Sequence, residues 1–223
     1  MIPSAQSSDL VVAVLGGTGD QGRGLARRLA AAGVPIVLGS REAERARRVA
    51  AELSDGGRPV TGADNAAAAA AGDVVIVAVP WEGHRELLES LAPALAGKVV
   101  VDCVNPLGFD AHGPYVLDVA EGSATEQAAA VLPGSRVVGA FHHVSAALLL
   151  DPDLAEIPTD VLVVGDDREA TDLVIGLAGR IPGLRGVYAG RLRNAGQVEG
   201  LTANLIAINR RYRAHAGLRV TDV

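Results

Sequence analysis

The chain is poor in several features that would point to other classes of protein. Its 223 residues include one cysteine, Cys103, so no disulfide can form within the chain, and a cytoplasmic location is expected. Aromatic residues make up only 3%, so aliphatic residues must build the core. No apolar run approaches the roughly 20 residues that a membrane helix needs. Residues 1–9 have no signal-peptide pattern, and we expect a disordered tail there.

Charge is unevenly distributed along the chain. The net charge of −6 argues against a nucleic-acid partner. From residue 180 onward, however, eight arginines stand against only two acidic residues. This basic end indicates either an anionic partner or an ordinary solvated helix face.

Apolar strands and helices alternate along most of the chain. Short β-branched runs at 10–16, 35–40, 73–80, 98–106, 136–141 and 160–167 alternate with helical segments, one of them the alanine run at 65–72. This alternation predicts an α/β fold, a Rossmann-type doubly wound and mostly parallel sheet. We expect a main domain over 10–148 and a smaller helical C-terminal domain over 149–223. Its last helix is predicted at 196–218 and ends at Gly217.

The segment after the first strand contains a glycine fingerprint. Residues 17–22, GTGDQG, fit G-x-G-x-x-G between a strand and a helix, which predicts a dinucleotide site. The glycines permit a tight turn, close approach to a pyrophosphate and close packing of helix on strand. Asp20 conflicts with this role, because a carboxylate repels a pyrophosphate. We therefore expect its side chain to point away or to cap the helix.

The second strand ends in a basic pair. NAD-binding proteins place an acidic residue here to bind the ribose 2′-hydroxyl, but this chain has Ser40 and Arg41, with Arg45 one turn later. A guanidinium can form paired hydrogen bonds to a 2′-phosphate, which an acidic residue would repel. The pattern predicts NADP(H) as cofactor. We expect Glu42 and Glu44 to face away from the 2′-phosphate.

The later strand ends lack the groups that donate protons in alcohol and hydroxyacid dehydrogenases. They read Val79-Pro80-Trp81, Val104-Asn105-Pro106 and His142-His143-Val144-Ser145, without a lysine, tyrosine or metal-ligand pattern. A second organic redox cofactor is a hydride acceptor that needs no strong general acid.

Several motifs together resemble the F420-dependent NADP reductase family. They are GGTGDQGRGLARRLAAAG, VLGSRE, VAVPWEGH, GAFHHVSA, VVGDD and LRNAGQVEGLT, spread over residues 10 to 210. The resemblance implies reversible hydride transfer between NADP(H) and the deazaflavin coenzyme F420, with the two rings stacked in one cleft. It also implies a homodimer with no partners except these small-molecule cofactors.

The resemblance further implies which residues bind each cofactor. The pyrophosphate would lie on Thr18, Gly19, Asp20 and Gln21, and the 2′-phosphate on Ser40, Arg41 and Arg45. The nicotinamide half would contact Val79, Trp81, Asn105 and Ala146, and the deazaflavin would contact His142, Val144 and Thr202. His142 would act in catalysis by donating a hydrogen bond to the polar edge of the deazaflavin ring.

Two residues depart from the family pattern. His143 replaces a usually smaller residue, and Gly200 stands where the family can carry a serine, so a hydrogen bond to the deazaflavin is expected to be lost. The anionic tail of F420, a phosphodiester followed by glutamates, would give the basic C-terminal end a partner. Two alternatives stay open: an NADPH-dependent imine or ketone reductase, and a non-catalytic NADP(H) sensor.

Overall fold

The computed structural model describes residues 10–54 and 60–223, so the tail expected at 1–9 lies outside the described residues. Ten strands occur in this part of the chain: β1 (Val12–Leu15), β2 (Ile36–Ser40), β3 (Val60–Asp64), β4 (Val74–Val77), β5 (Val99–Asp102), β6 (Leu107–Asp110), β7 (Gly113–Val116), β8 (Arg136–Gly139), β9 (Thr159–Gly165) and β10 (Leu184–Gly190). The helices are α1 (Asp20–Ala31), α2 (Ala43–Leu53), α3 (Asn65–Ala71), α4 (His84–Leu95), α5 (Ala124–Val131), α6 (Ala146–Leu150), α7 (Arg168–Ala178) and α8 (Ala195–Tyr212).

Eight of the strands form one sheet, in the order β10-β9-β8-β5-β4-β1-β2-β3. Every neighbouring pair is parallel except β8 and β9, which run antiparallel. The predicted doubly wound, mostly parallel sheet is therefore confirmed. The chain order reverses between β1 and β4, which is where a doubly wound sheet opens a ligand crevice.

Helices cover both faces of the sheet, so each central strand is buried on both sides. Val12 and Val14 of β1 pack into one apolar cluster, whereas Ala13 and Leu15 pack into the other. This alternation follows from the two-residue period of a strand. It explains why the central strands are continuous apolar runs instead of alternating polar and apolar residues.

The sequence pattern misses four strands. Strand β3 was not predicted, and neither was β10. Residues 107–127 were expected to form a loop followed by a helix, but the hairpin of β6 and β7 precedes that helix. These strands contain glycine, proline or polar residues and lie at the edges, so they lack the apolar run that marks a buried strand.

The predicted end of the last helix is also wrong. Helix α8 ends at Tyr212, and Arg213 takes a left-handed conformation with φ +51°. The chain then pairs with β9, where the carbonyl of Leu218 accepts from the Asp160 N–H at 2.8 Å. A Cβ on Gly217 would lie 2.2 Å from Thr159 Oγ1, so this glycine permits close approach to β9 and does not end the helix.

The main sheet continues past residue 148, the expected boundary between the two domains. The segment expected as a smaller helical domain contains α8, but it also adds β9 and β10 to the main sheet. The division of the chain at this point stays a prediction. Among the described residues, no helix has the length and apolar character that a membrane span requires.

Candidate cofactor-binding site

Two adjacent cavities lie at the carboxyl ends of the central strands. The first, of about 370 Å³, follows the ends of β1 and β2 and is lined by Gly16, Thr18, Gly19, Ser40, Arg41, Glu42, Arg45, Asn65, Ala78, Val79, Pro80, Glu82, Gly83 and Leu87. The second, of about 330 Å³, is lined by Gln21, Ala78, Val79, Pro80, Trp81, Cys103, Val104, Asn105, His142, Val144 and Thr202. The two share the segment 78–80 that follows β4, so they are neighbouring parts of one crevice.

The glycine loop leaves no room for side chains beneath the first cavity. The Gly19 N–H donates to the carbonyl of Gly16 at 2.9 Å, which closes the turn before α1. A Cβ on Gly22 would lie 2.7 Å from the same carbonyl oxygen. Helix α1 therefore starts directly against the loop, and its free N–H groups are available to a pyrophosphate. This cradle fits the dinucleotide that the fingerprint predicts.

The basic pair lies at the open side of the first cavity. Ser40 is buried, and its Oγ accepts a hydrogen bond from the Glu42 N–H at 3.3 Å. Arg41 and Arg45 are exposed, and within the described residues neither forms an ion pair. Two guanidinium groups that reach into a cavity without a carboxylate partner fit a bound phosphate.

The expectation that Glu42 faces away is wrong, because Glu42 lines the first cavity. It is the N-cap residue of α2, directly after the strand, and its backbone is held by Ser40. Glu44 lies on the outer side of the helix and pairs with Arg47.

The second cavity has a frame of hydrogen-bonded side chains. Asn105 Nδ2 donates to the carbonyl of His142 at 3.1 Å. Thr202 Oγ1 of α8 lies 3.2 Å from Asn105 Oδ1 and 3.3 Å from the same carbonyl. Gln21 Nε2 of α1 donates to the carbonyl of Phe141 at 3.3 Å. Helices α1 and α8 are thereby attached to the chain that follows β8.

His142 lines this cavity, but both of its ring nitrogens are shielded from solvent. The residue is 5% exposed, and within the described residues neither ring nitrogen has a partner at good hydrogen-bond geometry, although the Val104 backbone lies near enough to raise the pKa of the ring. Burial lowers the pKa of His142 to about 4, so the ring is neutral at neutral pH. Buried polar atoms without a partner are rare in folded proteins. A ligand with a polar edge would reach these nitrogens only after a shift of the cavity wall.

Most of the residues expected in the site line one of the two cavities, but Asp20 and Ala146 line neither. The Asp20 side chain is 77% exposed, and its carboxylate lies 3.5 Å from Arg23 Nη2 of the same helix. It does not cap α1, because Gly19 is the N-cap residue. Ala146 begins α6, which packs on α1 behind the cavity wall.

The two departures from the family pattern lie away from both cavities. His143 is buried, and its Nε2 donates to the carbonyl of Val198 in α8 at 2.5 Å. A Cβ on Gly200 would lie 3.2 Å from Val116 Cγ2 of the hairpin. Both residues contact neighbouring elements of the fold, and the loss of a hydrogen bond to the deazaflavin at Gly200 stays a prediction.

Sequence reasoning missed two groups of residues. Cys103 and Val104 line the second cavity, and Asn65 lines the first. The Cys103 thiol donates to the carbonyl of Val77, and burial raises its pKa, so it is a wall residue and not a nucleophile. The signal for Cys103 and Val104 is present in the sequence, since both directly follow a buried strand.

Comparison with known proteins shows the family of the chain. Residues 11–106 match the family model described as NADP oxidoreductase, coenzyme F420-dependent. An F420-dependent NADP reductase from Methanothermobacter marburgensis is 42% identical, over 95% of this chain and 98% of that protein. The corresponding protein from Methanocaldococcus jannaschii is 38% identical over the same shares of the two chains.

Solved structures agree with these sequence matches. A crystal structure provisionally described as an F420-dependent NADP reductase, from Arthrobacter sp. FB24, superimposes with a TM-score of 0.81 at 27% identity, over 95% of this chain and 99% of that one. An imine reductase from Bacillus cereus shares the fold, with a TM-score of 0.64 at 18% identity, over 91% of this chain and 63% of that one. With its glycine cradle, its basic pair and nearly full-length relatives, the chain belongs to the F420-dependent NADP reductase family.

Proposed function

We propose that this protein is an enzyme that transfers a hydride reversibly between NADP(H) and coenzyme F420. One observation carries the proposal: a cavity with a glycine cradle and two unpaired arginines adjoins a second cavity through shared residues 78–80. Two cofactors in these cavities would meet along that shared wall.

The first cavity would bind the NADP half. Helix α1 and residues 18–21 would hold the pyrophosphate through backbone N–H groups. Ser40, Arg41 and Arg45 would hold the 2′-phosphate by charge-assisted hydrogen bonds. The Asp20 side chain would not contact the pyrophosphate, because its carboxylate pairs with Arg23 on the exposed side of the helix.

The second cavity would hold the two reacting rings. The cofactors themselves supply the carbon that gives up the hydride and the carbon that accepts it. The rings would lie among Val79, Trp81, His142, Val144 and Thr202, which line this cavity. Neutral His142 would donate a hydrogen bond to a polar ring edge after a small shift that brings a ring nitrogen to the cavity surface. Proximity and orientation of the two rings, with water excluded, would be the main source of rate enhancement.

The alternatives fit this cavity less well. An imine or ketone reductase needs a group that protonates its product, and the described lining of the second cavity contains no lysine, tyrosine, aspartate or glutamate. The only titratable groups there are His142, with its lowered pKa, and Cys103, with its raised pKa. A non-catalytic sensor would need only the first cavity, and the hydrogen-bonded side chains around the second cavity would have no role in it.

Mixing the protein with NADPH and oxidised F420 tests the proposal. We expect the visible absorbance of oxidised F420 to disappear in step with the absorbance of NADPH, one molecule for one. NADH at the same concentration is the control and should react far more slowly. A protein that binds NADPH but leaves F420 oxidised would refute the proposal and would favour the sensor.

We further propose that the basic surface at the end of α8 attracts the anionic tail of F420. Three arginines of the C-terminal segment are already engaged: Arg185 and Arg219 pair with Asp160, and Arg180 donates to the carbonyl of Ala32. Arg210 and Arg211 are exposed on the helix that carries Thr202.

The variants Arg210→Glu and Arg211→Glu test this surface. Each should raise the KM for F420 about two- to fivefold at low salt and flatten its salt dependence, because exposed charges are screened. The KM for NADPH should not change. Arg168→Glu, an exposed charge reversal on α7, is the control. An F420 KM that responds equally to all three variants would contradict a specific role for α8.

We also propose a homodimer in the cytoplasm. Apolar side chains stay exposed on the hairpin and on the second half of α8, which packs beside it: Phe109, Tyr115, Val116, Ile208 and Tyr212. Exposed apolar groups of this size favour a protein interface. Light scattering should give twice the chain mass of 22.7 kDa, and a monomer mass would contradict the dimer.

A further inference from the structure

Behind the second cavity, His84 is fully buried at the start of α4. Its Nε2 lies 2.6 Å from Asp102 Oδ2, at the end of β5, and Asp102 is also fully buried. Its Nδ1 lies 3.0 Å from Gln127 Oε1 of α5. These residues line neither cavity, and the proposed hydride transfer makes no direct use of them.

The surroundings of Gln127 determine the charge of His84. Gln127 Nε2 donates to Glu121 Oε2 at 3.2 Å, and Glu121 pairs with Arg85. The amide nitrogen therefore faces Glu121, and the amide oxygen faces His84. Because both ring nitrogens of His84 then face acceptors, both must carry a proton, and the ring is an imidazolium.

The electrostatic environment agrees with this protonation state. Burial, the largest single effect, lowers the pKa of His84, but the charge and hydrogen bond of Asp102 act against it, and the pKa lies above its ordinary value. The hydrogen bond to Gln127 and the charge of Glu199 on α8 act in the same direction. Stability contributed by this pair is therefore fully present below the unfolded-state pKa of about 6.5 and is lost as the pH rises through the raised pKa of His84.

The pair contacts both sides of the second cavity. Asp102 Oδ1 accepts a hydrogen bond from the Val104 N–H at 2.9 Å, which fixes the turn that carries Val104 and Asn105. On the other side, the rings of His84 and Trp81 lie 5.7 Å apart and are tilted by 31°. The backbone N–H of His84 also donates to the backbone carbonyl of Trp81 at 3.1 Å.

We propose that His84 is a positioning residue for the reaction: its imidazolium, paired with Asp102, holds Trp81 and the Val104–Asn105 turn at the spacing that the two stacked rings require. The effect on turnover rests on the proposed function, whereas the charge of His84 does not.

Kinetics of two variants test the positioning role. His84→Gln removes the ring and the charge, and Asp102→Asn removes the charge that holds the imidazolium. Each should lower kcat about ten- to a hundredfold, because small displacements of reacting groups cost this much. The KM for NADPH should change less than about twofold, because the residues that bind the phosphates line the other cavity.

Asp160→Asn is the matched control for these variants. Asp160 is another fully buried carboxylate paired with a cation, Arg185, but it lies on β9, two strands from β5, and lines neither cavity. This variant should lose thermal stability without a loss of kcat. An unchanged kcat in His84→Gln, or an equal loss in Asp160→Asn, would overturn the positioning role.

Fluorescence of Trp81 decides the charge of His84 without any turnover. Trp81 is the only tryptophan in the chain, and a protonated imidazole beside an indole quenches its emission. At neutral pH, without cofactors, the wild type should be dimmer than His84→Gln, and Asp102→Asn should be as bright as His84→Gln although it keeps the ring. Equal emission of the wild type and both variants would overturn the charged state of His84. If the wild type leaves F420 oxidised, the proposed function fails, but this comparison still stands.

Discussion

Gly22→Ala is expected to weaken NADPH binding about ten- to a hundredfold and to destabilise the fold by about 1–3 kcal/mol. The added Cβ would lie 2.7 Å from the carbonyl oxygen of Gly16 and 2.9 Å from Gly17 Cα. Both contacts are with backbone, so no side chain can rotate away to relieve them. Helix α1 or the loop must shift, and the N–H groups that would face the pyrophosphate shift with it.

Gly176→Ala is the matched control for this substitution. Gly176 is also a helical glycine, in α7, but its added Cβ would meet nothing within 4 Å. It should stabilise the protein by about 0.5–1 kcal/mol, because alanine loses less backbone entropy in a helix. Thermal denaturation and NADPH titration of both variants check the pair. Unchanged NADPH affinity in Gly22→Ala would contradict the assignment of the cradle.

Arg41→Ala should raise the KM for NADPH about ten- to a hundredfold and leave the KM for NADH almost unchanged. Hydrogen bonds to charged groups contribute about 1.5–3 kcal/mol. NADH has no 2′-phosphate, so its binding does not depend on these hydrogen bonds. Because Arg45 lines the same cavity, its substitution should couple to that of Arg41, and the two losses should not be additive. Steady-state kinetics with both cofactors check the selectivity.

Arg47→Ala is the control for the loss of charge on α2. Arg47 lies on the same helix, pairs with Glu44 and lines neither cavity. It should leave both KM values unchanged. If Arg41→Ala raised the KM for NADH as much as that for NADPH, recognition of the 2′-phosphate at this position would be wrong.

The features that the sequence predicts correctly are local. The strand, glycine turn and helix from Val12 to Ala31 depend on residues within one short segment, and Gly33, with φ +82°, follows the helix as a C-terminal glycine should. The alanine run was predicted as a helix because of intrinsic propensity, and α3 confirms it.

The features that the sequence does not predict depend on contacts between distant segments. The hairpin packs on α8, and the chain after α8 bonds to β9 through Leu218 and Val220. His84, Asp102 and Gln127 come from a helix, a strand and another helix, separated by at least 18 residues. No spacing rule brings them together, because the sheet topology alone makes them neighbours.

Direct transfer of the hydride is the central claim, and an isotope label tests it. NADPH carrying deuterium at the transferred position of the nicotinamide should react with oxidised F420 on this protein in ordinary water. We expect reduced F420 to carry one deuterium, detected by mass spectrometry, because the two rings would react in one crevice without exchange with water. Reduced F420 without deuterium, or no reduction at all, would contradict the account.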